Sequence, residues 1–130
     1  KIGKNVVIRP SVKITYPWKL TLGDYAWVGD DAVLYTLGEI TIGANSVVSQ
    51  KCYLCTGSHD FMSPHFDITA SPVVIGEKCW LATDVFVAPG VSVGDGTVVG
   101  ARSSVFKSLP ANKICRGNPA VVIRERVETD

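Results

Sequence analysis

The sequence predicts an all-β fold, a parallel β-helix solenoid of about six triangular coils interrupted by one long excursion. Three observations carry that expectation. An aliphatic residue recurs at every sixth position, glycine often follows it directly, and the period lapses in a single stretch that holds both histidines. Neither a 3.6-residue nor a simple two-residue period accounts for the pattern.

The hexads run in order along the chain. Ile2, Ile8, Ile14 and Leu20 open the series, and Leu22, Val28, Leu34 and Ile40 continue it. Ile42, Val48 and Leu54 follow, and after the lapse come Ile75, Leu81, Val87, Val93, Val99 and Val105. Each marks a short strand with its aliphatic side chain turned inward, and three hexads close one coil of about 18 residues. Four residues further on, side chains are small or aliphatic, as at Ala26, Ala32, Ser46, Cys52, Cys79 and Val85, so these positions also face inward. Gly3, Gly23, Gly43, Gly76 and Gly94 stand at corners where a side chain would crowd the backbone. The two-residue steps from Leu20 to Leu22 and from Ile40 to Ile42 read as small corner bulges. The β-helix is expected over residues 1–123, with residues 124–130 as a C-terminal tail or cap over the strand edge.

Size and charge exclude several function classes. One domain fits 130 residues, and a formal net charge of +1 provides no field to attract nucleic acid or an anionic membrane. No apolar run reaches the length of a membrane span. The chain opens on Lys1 rather than Met and shows no N-terminal cap, so residues upstream are expected. Cys52 and Cys55 form one C-x-x-C, without the second pair a zinc ribbon needs, so no metal is expected. The cysteines read as packing residues.

The period lapses after Leu54, because position 60 is Asp where an inward aliphatic residue belongs, and it returns at Ile75. Residues 59–74 are therefore expected to leave the prism, and loops of that length are usually functional. His59 sits at the root of this excursion, held by the last regular hexad, where a general base would be placed. His65 lies further out and reads as a surface residue. "GDGTVVG" has glycines at hexad corners and no helix after it, so it is not a dinucleotide fingerprint.

"TGSHDFMSPHF", the Trp80 that follows and the ending "GNPAVVIRE" resemble the hexapeptide-repeat sugar O-acetyltransferases of the galactoside, maltose and nodulation type. "LGEITIG" and "CTGSHD" bring the chain nearest to the acetyltransferases of colanic acid biosynthesis. The resemblance runs from about residue 2 to residue 124. It implies a left-handed β-helix, a homotrimer with active sites between subunits, acetyl-CoA as acyl donor and a saccharide acceptor. His59 matches the family's catalytic histidine, and Trp80 a tryptophan lining the acyl site. Thr83, Ala101, Lys107 and Arg124 fall where relatives touch coenzyme A. Arg102, Lys113, Arg116 and Arg126 extend these last two into a cationic strip suited to the coenzyme's phosphates.

There are departures from the family pattern. Gly29 and Leu37 replace an acceptor-binding Asn and Asp of the galactoside enzymes, Val121 an arginine and Phe106 a threonine. Asp31, with Asp30 or Glu39, is the candidate to bind acceptor hydroxyls instead. The expected activity is acetyl-CoA-dependent O-acetylation of a sugar hydroxyl in the cytoplasm, in exopolysaccharide biosynthesis. Its rivals are N-acetylation of an amino sugar, an inactive binding solenoid, and a zinc lyase that two histidines per chain poorly supply.

Overall fold

The computed structural model describes residues 1–127. Five complete coils stack as parallel strands on three faces, and a sixth coil covers two faces before the chain turns back. The first face stacks Leu20–Leu22, Ile40–Ile42, Val73–Ile75 and Ser92–Val93, with Ile2 and Leu109 bridging at its ends. The second stacks Val7–Ile8, Trp27–Val28, Val47–Val48, Trp80–Leu81, Val98–Val99 and Lys113–Gly117. The third stacks Lys13–Ile14, Val33–Tyr35, Tyr53–Cys55, Phe86–Val87 and Ser104–Val105.

In-register pairing turns the hexad pattern into ladders. Val28, Val48, Leu81, Val99 and Cys115 line up on one inner wall, and Leu34, Leu54, Val87 and Val105 on another. All nine are fully buried. The steps from Leu20 to Leu22 and from Ile40 to Ile42 are not corner bulges. Each pair lies in one strand on the first face, and residues two apart in a strand point the same way. Both members are therefore core residues, as are Val73 and Ile75 above them.

Corners explain the glycines. A Cβ on Gly43 would lie 2.6 Å from the Gly76 carbonyl of the next coil, so close stacking leaves no room for a side chain there. Buried hydroxyls satisfy the corner backbone. Ser46 Oγ donates to the Gly76 carbonyl at 2.6 Å, and Thr56 Oγ1 donates to the Tyr35 carbonyl at 2.6 Å. Cys52, Cys79 and Cys115 are buried free thiols within the core.

The excursion occupies residues 56–72, so Val73 and Val74 already belong to the wall. At the other end, Ala120–Glu125 pairs antiparallel with Lys113–Gly117 and so becomes the last strand of the second face. Arg124 thus lies in a strand, and residues 128–130 of the expected tail fall outside the described residues. Arg126 ties this end down by donating to the Lys78 and Gly96 carbonyls, both at 2.9 Å.

Candidate active site

The excursion is a hairpin. Gly57–His59 pairs antiparallel with Ile68–Ala70, with His59 opposite Ile68. Its root sits hard against the wall: a Cβ on Gly57 would lie 2.6 Å from Leu37 Cδ1 and 2.7 Å from Tyr35 Cε2. At its tip Phe66 adopts a left-handed φ of 51° and turns its carbonyl back towards the histidine.

His59 Nδ1 lies 2.8 Å from that carbonyl oxygen. A carbonyl only accepts, so Nδ1 carries a proton, and in the neutral ring Nε2 is the nitrogen with the lone pair. The ring is exposed and sits at a depression of about 90 Å³ lined by Tyr35, Leu37, Gly57, Ser58, His59 and Ile68. Asp60, the sequence neighbour, does other work. Its Oδ1 accepts from the Met62 N–H at 3.0 Å, and its own N–H donates to the Asp67 carbonyl at 2.8 Å. It shapes the loop, and the Phe66 carbonyl fixes the ring.

Asp31 is elsewhere. It sits at the corner between second and third faces, with a left-handed φ of 61° and its N–H donating to Ser11 Oγ at 2.9 Å. With Arg9, Trp27, Gly29, Asp30, Gln50 and Lys51 it lines a larger depression of about 490 Å³. Arg9 pairs with Asp30 there at 3.0 Å. Within one chain this depression and the His59 hairpin stand on different edges of the prism. Leu37 alone of the two replaced acceptor positions borders the histidine.

The donor-side candidates spread over the upper coils. Trp80 is half exposed on the second face, its Nε1–H donating to Ser49 Oγ at 2.9 Å. Register puts Val98 directly above Trp80, Ile114 above Val98 and Arg124 above Ile114. Three strand spacings make that column about 14 Å long, from an indole through two apolar residues to a guanidinium. Thr83 and Ala101 lie at the adjoining corner, where Thr83 Oγ1 donates to the Gln50 carbonyl at 3.2 Å. Lys107 is exposed at the opposite edge of the third face.

The cationic strip is shorter than its sequence. Lys113 bonds Glu125, Arg126 is spent on two carbonyls, and Arg102 faces Asp84 at 3.9 Å. Among the described residues, Lys107, Arg116 and Arg124 make no ion pair. Arg116 stands over the Gly100–Ala101 corner, where a Cβ on Gly100 would lie 3.1 Å from the arginine Cβ.

A feature the sequence reading missed climbs the third face. Tyr35, Tyr53, Phe86 and Phe106 form a zigzag of tilted rings with centroids 6.3, 6.0 and 6.1 Å apart. It starts at the His59 depression and ends beside Lys107. Outward hexad positions carrying aromatics on successive coils were the available signal.

Comparison with known proteins places this geometry. The family described as "Bacterial transferase hexapeptide (six repeats)" matches residues 72–107. Over all 130 residues the chain is 87% identical to the "Putative colanic acid biosynthesis acetyltransferase WcaF" of Escherichia coli (strain K12), spanning 71% of that protein. The chain belongs to the hexapeptide-repeat acetyltransferases. A maltose O-acetyltransferase from Clostridium difficile 630 superposes with a TM-score of 0.91 at 27% identity, over 97% of this chain and 69% of that one. A galactoside acetyltransferase in complex with coenzyme A gives 0.92 at 28% identity, over 97% and 64%. A mirror-image coil could not superpose this well, so the chain shares the coil sense of those acetyltransferases, the left-handed one the resemblance implies. Among the described residues no group of His, Cys, Asp and Glu could hold a metal ion.

Proposed function

We propose that this acetyltransferase moves an acetyl group from acetyl-CoA to a sugar hydroxyl of an exopolysaccharide precursor, with His59 as general base. One observation carries the reading: the Nδ1–H bond to the Phe66 carbonyl selects the tautomer whose neutral ring presents the Nε2 lone pair at the edge of a depression. Nε2 takes the hydroxyl proton while the oxygen bonds to the thioester carbonyl carbon. The carbon–sulfur bond then breaks, and the imidazolium returns the proton to the leaving thiolate. The products are a sugar acetate and free coenzyme A.

The donor set suits the coenzyme. Trp80 would offer a wall for the acyl end, Val98 and Ile114 an apolar floor for a pantetheine arm, and Arg124 a cation for a phosphate. Thr83 and Ala101 border that floor, and Lys107 and Arg116 add charge. All of these groups except Lys107 occupy the second face and its corner, whereas His59, the aromatic zigzag and Lys107 belong to the third face and its far edge. A flat prism face cannot close on itself. The working unit is a homotrimer in which one copy sets its second face against the third face of the next. Asp31 would reach the acceptor in such an assembly, across the subunit boundary. Among the described residues no helix is long and apolar enough to cross a membrane, and the donor points to the cytoplasm as the place of action.

The relative at 87% identity bears the name of colanic acid biosynthesis, so de-O-acetylated fragments of that polymer are the first acceptors to offer. Incubation with acetyl-CoA should release thiol and leave an acetyl ester on a sugar carbon, read by NMR. An acetamide on an amino sugar, or an intact thioester with every sugar tried, would overturn the proposal.

A further inference from the structure

The His59 depression, at about 90 Å³, holds the reacting end of an acceptor and little more. Small-molecule sites usually enclose several hundred Å³, so the rest of the acceptor lies on the surface outside it. Two coils below on the same edge, the chain presents an aromatic step. Pro17–Lys19 is a single 3-10 turn that lifts Trp18 to 74% exposure. The rings of Tyr16 and Trp18 lie 5.1 Å apart.

The step is built rather than loose. Tyr16 N–H donates to the buried Thr36 Oγ1 at 2.7 Å, and that hydroxyl donates back to the Tyr16 carbonyl at 3.1 Å. Lys19 lays its ammonium 5.6 Å from the Tyr16 ring centroid and donates to the Leu37 carbonyl at 2.6 Å. Leu37 is also a wall of the His59 depression. Platform and depression are therefore fixed to one another through a single residue. The corner between them carries Gly38, where a Cβ would lie 3.5 Å from Ser71 and Thr56 at the hairpin root. Two strand spacings, about 10 Å, separate the platform from the hairpin root.

We infer that Trp18, backed by Tyr16, is a sugar-stacking subsite, and that the acceptor is an oligosaccharide running down this edge from the reacting hydroxyl at His59. A pyranose presents one apolar C–H face that matches an aromatic ring, and an exposed indole gives the largest such ring. This rests on the O-acetyltransferase reading and extends it. Glycosyl transfer must then precede acetylation, because the preferred substrate already contains several joined sugars.

The test compares a free monosaccharide with a de-O-acetylated oligosaccharide repeat as acceptors for the full-length enzyme. The wild type should show a higher kcat/KM for the oligosaccharide. Trp18→Ala should cut the ratio of oligosaccharide to monosaccharide kcat/KM by about tenfold, mainly through KM, and Trp18→Phe should restore most of it. The same oligosaccharide, without acetyl-CoA, should shift the Trp18 indole N–H resonance. An unchanged ratio in Trp18→Ala, or an indole signal that ignores the oligosaccharide or is already shielded by another part of the full-length chain, overturns the subsite. Loss of all transfer in the wild type would instead strike the parent reading, while the indole titration would still decide the subsite.

Discussion

One hydrogen bond decides what His59 can do. The Phe66 carbonyl orients the ring and selects its tautomer, while Asp60 is committed to the loop backbone. Replacing Asp60 by Asn should therefore lower kcat by less than tenfold, because an amide oxygen can still accept from Met62. A hundredfold fall would show that the carboxylate acts on the ring. The thiols show the opposite case, in which burial dominates. Desolvation pushes the Cys52 thiol from 9.0 up to about 11, and Cys79 and Cys115 move the same way for the same cause. Well below pH 9 these thiols are neutral in both folded and unfolded chains. Above it the unfolded chain loses protons first, so stability falls as pH climbs from about 9 through about 11. Urea midpoints measured across that window should drop, and Cys52→Ala should remove part of the slope. An equal slope in that variant would contradict the assignment.

Elements reveal how much the sequence discloses. The hexads identified the strands and the inward residues because each coil repeats one register, so a single period carries both secondary structure and core. The paired inward residues of the first face were misread as corners, since a two-residue step looks the same whether the chain bends or merely continues as a strand. Periodicity also located the excursion, but not its antiparallel pairing or the return of the Phe66 carbonyl, which depend on contacts within the loop. The cationic strip looked continuous because sequence cannot tell a free arginine from one bound to carbonyls. Arg126→Ala should thus lower stability by about 1–2 kcal/mol and leave coenzyme A affinity near the wild-type value. Arg124→Ala should weaken coenzyme A about tenfold with little change in melting temperature. Calorimetric titration beside thermal melts separates the two, and matching behaviour of both variants would refute the division. Gly57 has an equally local demand. Gly57→Ala should displace the hairpin against Tyr35 and Leu37, and a misplaced base costs on the order of tenfold to a hundredfold in rate.

At the scale of the whole molecule, the prism is a rigid ruler. Parallel stacking spaces side chains evenly along each face, so an indole, two apolar residues and a guanidinium fall in one column without any pocket being built. On such flat faces the proposed base and the proposed donor column stand on different sides, which is why the proposal places the reaction between two copies of the chain. The proposed transfer depends on a free Nε2 accepting a proton from the acceptor beside a bound thioester. The most direct measurement is acetyl transfer by His59→Ala, followed as thiol release alongside coenzyme A binding in the same preparation. A fall in kcat of about a hundredfold to ten-thousandfold is expected, with coenzyme A affinity and oligomeric mass unchanged. Transfer at the wild-type rate by that variant would contradict it.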